Sequence, residues 1–417
     1  MRTALLFLFC CCGLAAQIPP PTGTPSQPFF IKQTWIIGGR GNWDYLTLDP
    51  AANRLYIAHG AEVQVVDTET GNLAGSVKGL VEAHSIALDP AGEFGYVSDG
   101  ATDEVKVFDR SSFEVVASIP TARAPRAIAL DPSTHLLVAI CGGERVSEPT
   151  PSPGQHPGRP ATRSTASRSD QPERPKSAIS IIDVQARVQL AHVLVAGHLG
   201  FAESDASGRV YIAAEDHNAV VRLDLSSLAA RLHPPASPAS GAAAHSQPAL
   251  QRFDWSDPSH SPAAAPDLRY DRLGPDCRYP RALTVDAKDS RVFVACSNLR
   301  LAVLDSDTGK TVATVPIGPG PDAVGFDPDR GLIFTANGGA QGSLTVIRQE
   351  VPDSYAVVQI LPTRQQARTL AINPGNGQVY LVTVIQTAQV GSPPLNGLGT
   401  LKLAPEDASF QVLVVGN

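Results

Sequence analysis

Six residues of kinds that handle anions or protons each open a copy of one short phrase. The phrase is a polar residue, an apolar run, then Asp-Pro or a close variant. It runs from Asp44 to Pro50, His84 to Pro90, Arg126 to Pro132, Arg281 to Ala287, Asp322 to Pro328 and Arg368 to Pro374. A weaker seventh copy runs from Gly200 to Ala206 and opens without a polar side chain. Three guanidinium groups brought together could clamp a carboxylate or phosphate through paired hydrogen bonds. His84 could move a proton near neutral pH. The same residues could equally pair, arginine with aspartate, and only solvate the place where they meet.

Other chemistry-bearing residues read more plainly. Asp67, Asp109, Asp183, Asp224 and Asp305 would be tempting metal carboxylates, but each falls in a different repeat before a Thr-Gly or Ser-rich turn. Turn capping explains them, and the Asp-Pro pairs as well. The histidines show no ligand spacing. No zinc, haem-attachment, phosphate-loop, calcium-loop or nucleophile-elbow motif occurs, so no metal and no cofactor is expected.

The elements that must carry these residues follow from the repeat. The openings lie 40, 42, 74, 81, 41 and 46 residues apart. Four spacings suit a four-stranded propeller blade, and two are one blade plus extra chain. The extras are Pro-, Ser- and Ala-rich tracts over 144–177 and 233–276, which cannot bury enough apolar area to offset chain entropy. The first holds six basic and four acidic residues over 144–176; it could touch an anionic surface, but a solvated linker explains it. Within repeat two, Ser85–Leu88, Phe94–Ser98, Val105–Phe108 and Val115–Ile119 read as strands separated by turns. The fold predicted is all-β: a seven-bladed β-propeller of four-stranded antiparallel blades over 30–417, one domain. The last repeat is short of a strand, and Gln33–Ile37 is spare at the other end, so the N-terminal strand is expected to close the ring. In the rival arrangement Leu401–Leu403 and Phe410–Val415 complete blade seven alone.

In a propeller the phrase is the innermost strand of each blade. Its opening residue then faces the mouth of the central channel, on the side of the loops between blades. Cys277, four residues before Arg281, and Cys296, at the end of the paired strand, come within reach of a disulfide that staples the end of the second insert. Cys141 ends an apolar strand and reads as a small core residue.

Composition bounds the rest. The 35 glycines and 36 prolines among 417 residues exceed the usual share without reaching the disordered range. A formal charge of −7 argues against nucleic acid as partner. Met1–Thr3 is a short basic start, and Ala4–Ala16 is an apolar run too short to cross a bilayer as a helix. Residues 1–16 read as a signal peptide cleaved near Ala16 and Gln17, giving a periplasmic or secreted protein with no transmembrane segment. A lipid anchor at Cys10, Cys11 or Cys12 is a weaker option, because the preceding residues fit a lipobox badly. Three cysteines survive cleavage, which suits one pair and one free thiol.

The wording around these phrases resembles the YncE-like family of YVTN-repeat β-propellers, bacterial exported proteins. The resemblance is carried by Trp43–Leu46, Arg54–Gly60, Val65–Asp67 with Thr70 and Gly71, Thr335–Gly339, Ala367–Leu370 and Val412–Gly416. It implies a seven-bladed propeller in the periplasm or beyond and leaves the activity open. Relatives in the wider propeller group include lactonases, dehydrogenase heavy chains and nucleic-acid binders. The reading adopted is a non-catalytic binding or scaffold protein, expected to be a monomer. Its partner protein or small anionic ligand would sit at the channel mouth among Asp44, His84, Arg126, Arg281, Asp322 and Arg368. The alternative is a lactonase-like hydrolase using His84 and the arginines. An electron-transfer subunit ranks third, and no haem-attachment motif is present to support it.

Overall fold

Antiparallel ladders are what alternating Val, Ile, Tyr and Phe runs interrupted by Asp- and Gly-bearing turns must form. The structure, a computed structural model, describes residues 27–39, 42–90, 92–142, 175–232, 268–386 and 408–417. They build seven four-stranded antiparallel sheets. Blade one comprises Trp43–Asp49, Arg54–His59, Glu62–Asp67 and Leu73–Val77, and blade two runs from Ala83 to Pro120 in the same order. Blades three, four, five and six begin at Pro125, Leu199, Pro280 and Pro321. Blade seven is assembled from Thr369–Asn373, Gln378–Gln386, Ala408–Gly416 and, on the outside, Phe30–Ile36.

The N-terminal strand therefore closes the ring. Thr34 pairs with Leu413 and Trp35 with Val412. Phe29 is buried against Phe334 of blade six, and Gln359 bonds both its N–H and its carbonyl. Leu401–Leu403, the strand of the rival arrangement, lies outside the described residues, as do the signal segment 1–16 and most of both inserts.

Seven separate hydrophobic clusters are buried, one in each seam between neighbouring blades. Each middle strand is covered on both faces, so most of its residues are buried without alternation. Leu332–Asn337 and Arg291–Cys296 are buried throughout. Outer strands such as Val115–Pro120 and Thr311–Pro316 alternate between half-buried and exposed residues for most of their length.

Turn chemistry follows the expected plan. Asp67 Oδ1 accepts from the N–H groups of Glu69 and Thr70, and Asp305 Oδ1 from Thr308. Asp109 caps Ser111 and Ser112, Asp183 caps Gln185 and Ala186, and Asp224 caps Ser227. The strand-end aspartates do more than cap. Asp131 holds Thr134 with one oxygen and reaches blade four with the other, accepting from Ser204 Oγ at 2.7 Å and Gly208 N–H at 2.9 Å. Arg110 of blade two pairs with Asp49 of blade one in the same sense. These contacts bolt blade to blade on the face opposite the mouth.

Two boundaries differ from expectation. Pro175–Asp183 is a strand, so the first insert ends before residue 175. The second tract, 233–276, contains the outer strand of blade four, Leu268–Arg272, paired with Ala219–Leu223. A helix over Leu225–Leu232 follows the third strand of that blade.

Candidate functional site

The innermost strands aim their opening residues by a shared irregularity. In blades one to six the register against the second strand shifts at the opening residue: between Trp43 and Leu46, Ala83 and Ile86, Pro125 and Ile128, Leu199 and Ala202, Pro280 and Ala282, and Pro321 and Ala323. A bulge frees a residue from the ladder and re-aims its side chain. Arg368 of blade seven stands one residue before its strand begins.

The six sequence-predicted residues do not form one cluster. Four charged groups make a chain across blades four to seven. Arg281 Nη1 donates to Glu215 at 3.0 Å and Nη2 to Asp322 at 3.2 Å. Asp322 lies 3.6 Å from Arg368 Nε, and Arg368 Nη2 donates to the Trp43 carbonyl at 3.3 Å. The Arg368 guanidinium also lies 5.7 Å from the centre of the Trp43 ring. On the other side Asp44 Oδ2 holds His84 Nδ1 at 2.8 Å, and His84 Nε2 is 3.6 Å from Glu82. Gly100 makes room for this imidazole; a Cβ there would meet Nε2 at 2.7 Å. Among the described residues Arg126 has no ion pair and is exposed.

The chain of charges borders a cleft of about 420 Å³ lined by Trp43, Arg281, Ser297, Asp322, Gly338 and Arg368. Its wall needs glycine. A Cβ on Gly338 would lie 2.6 Å from Arg368 Cβ, and one on Gly339 would lie 2.6 Å from the Pro319 carbonyl.

Below the mouth two aromatic rings meet across the channel. Tyr45 of blade one meets Phe201 of blade four with ring centroids 5.1 Å apart, edge to face. Burial, with Asp44 and Asp322 adding to it, pushes the Tyr45 hydroxyl well above the usual range, so it stays protonated. Further along the same strand as Phe201, Glu203 accepts from Thr284 Oγ1 at 3.0 Å and the Val285 N–H at 3.2 Å. Burial pushes its carboxyl up to about 7 against those bonds.

Sequence reasoning missed Glu215, Trp43, Tyr45 and Phe201. Glu215 has an explanation in blade four's degenerate phrase. A Cβ on Gly200 would sit 2.9 Å from Glu215 Oε1, so the missing side chain leaves space for a carboxylate from the short 3-10 turn, Glu215–His217, that follows the next strand. Glycine where the other phrases carry a polar residue was the available signal.

Cys277 and Cys296 form the expected disulfide, with Cα atoms 5.5 Å apart. It joins the loop entering blade five to the strand beside it. Cys141 is buried and unpaired, and burial pushes its thiol up to about 11.

No family model matches the chain, and no curated protein matches its sequence. Solved structures of similar fold are found. A chain of the crystal structure of a mitotic checkpoint complex shares 13% identity at a TM-score of 0.58, over 91% of this chain and 96% of that one. The RRP9 WD40 repeats share 9% at 0.60, covering 95% and 100%, and U3-55K shares 9% at 0.59, covering 94% and 99%. The likeness is one of fold, to WD40-type β-propellers.

Proposed function

We propose that the chain is an exported, non-catalytic propeller of the YncE-like, YVTN-repeat kind that binds a small anionic ligand or a partner protein at the channel mouth. The observation that carries this reading is the cleft in which Arg281, Asp322 and Arg368 stand side by side over the Tyr45–Phe201 contact. Each guanidinium has five N–H donors, and the bonds found here use only some of them. A bound carboxylate could take the remainder in paired geometry. The Tyr45–Phe201 contact across the channel suits recognition of a surface or a small group at the mouth rather than passage through the ring. The paired Cys277 and Cys296 support an oxidising compartment. One propeller of similar fold comes from a protein complex, which is consistent with a scaffold role. A hydrolytic role would fall to His84, yet both of its ring nitrogens face carboxylates.

The test is calorimetric titration of citrate into the protein and into the Arg281→Ala/Arg368→Ala variant. Binding by the parent that is lost in the variant is expected. Absence of any heat with the parent, or equal binding by the variant, overturns the small-anion reading.

A further inference from the structure

Each inner arginine is preceded on its own loop by a second arginine. The loops run from Arg123 to Arg126 into blade three, Arg278 to Arg281 into blade five and Arg364 to Arg368 into blade seven. They share one backbone plan. The residue two before the inner arginine is left-handed in each: Ala124 at φ 49°, Tyr279 at 52° and Gln366 at 63°. A bulky side chain such as tyrosine adopts that region only where its surroundings hold it. The holds correspond. Asp103 Oδ1 accepts the Ala124 N–H at 2.7 Å, and Asn218 Oδ1 accepts the Tyr279 N–H at 2.8 Å. The Gly338 carbonyl accepts the Gln366 N–H at 3.0 Å. The loop into blade six repeats the plan with Gly320 at φ 71° and carries Asp322, the carboxylate that bridges Arg281 and Arg368.

Arg123, Arg278 and Arg364 are exposed, and among the described residues their guanidinium groups, like that of Arg126, form no ion pair or hydrogen bond. We infer that this outer tier extends the mouth into a docking face for an acidic segment of a partner protein. The inference rests on the reading of the mouth as the binding site and names its ligand class. Four free guanidiniums spread over three alternate blades match a row of carboxylates better than one compact ion. Tyr279 and Val81, 59% and 58% exposed, stand on loops of the same face. Tyrosine and arginine are the residues that anchor protein interfaces. A phosphate polymer fits worse, because Asp44, Glu82 and Glu215 interrupt the positive groups and the chain as a whole is at −7.

The experiment measures fluorescence anisotropy of a labelled ten-residue glutamate peptide at low salt. The parent is expected to bind it. The Arg123→Ala/Arg278→Ala/Arg364→Ala variant should bind roughly tenfold more weakly or worse, from three lost exposed charge contacts. All three sites are exposed, so its thermal unfolding should match the parent and separate lost binding from lost fold. Equal affinity in this variant, beside loss of citrate and peptide binding in Arg281→Ala/Arg368→Ala, sinks the outer tier and leaves the inner site standing. Equal affinity in both variants sinks the two together. Tighter binding of a ten-nucleotide thymidine strand than of the peptide also overturns the assignment to a protein partner.

Discussion

Glu203 shows how little of a residue's chemistry is visible before its neighbours are known. In the sequence it is one polar residue in a weak repeat. In the ring it lies on the innermost strand of blade four, its carboxyl pushed up to about 7 by burial although Thr284 and Val285 donate to it. The unfolded chain loses that proton near pH 4.5, whereas the folded chain keeps it to about pH 7. The folded state thus binds more protons across this window, and stability falls as pH rises through it. Glu203→Gln keeps an oxygen to accept the same bonds and removes the charge. It should match the parent near pH 4 and exceed it by about 3 kcal/mol at pH 8 in urea unfolding. A difference independent of pH would show that the carboxyl ionises as it does in water. The opening residues of the phrases were legible because their spacing repeats. Tyr45 and Phe201 were not, because a bulge breaks the alternation by which strand residues are assigned to faces. Glu215 was hidden because it reaches the mouth from outside the phrase altogether.

At the scale of the element, legibility tracked burial. Innermost and middle strands announce themselves through apolar runs and Asp-bearing turns. Outer strands pack on one side only and carry weak patterns, so Leu268–Arg272, with two arginines and an aspartate in five residues, resembles insert in sequence although it pairs with Ala219–Leu223. The N-terminal strand is legible from the strand count, because the last repeat is one strand short and the N-terminus has one spare. Its anchor is Trp35, 9% exposed, with its ring centroid 5.6 Å from that of Tyr380 and its indole N–H donated to Gln33. Blade one shapes a turn around it. Gly71, at φ 73°, has no side chain because a Cβ would lie 2.4 Å from the Trp35 ring. Trp35→Ala should cost about 3 kcal/mol, the low end for removing a buried tryptophan, because this one lies at the ring's rim. Thermal unfolding reads the loss. A variant as stable as the parent would mean that the strand decorates blade seven without clasping it.

The whole molecule joins closure and compartment, and thiol chemistry can report on both. Seven seams hold seven cores, so no blade is stable by its own sheet alone and the ring depends on its last seam. A covalent staple sits beside the site at Cys277 and Cys296, while Cys141 is sealed in the core between blades two and three. The other cysteines are Cys10, Cys11 and Cys12, all within the segment expected to be removed on export. With residues 1–16 removed, the purified protein should therefore take up no alkylating reagent when folded, because the buried Cys141 thiol is held at about 11 and the other two are joined. Unfolded without reductant it should take one label, at Cys141. Unfolded with reductant it should take three, and the mass should correspond to a chain beginning at Gln17. Three labels without reductant would remove the staple and with it the support for an oxidising compartment. Six labels after reduction would show that residues 1–16 are retained, and the exported reading would fail while the propeller and its mouth remained as described.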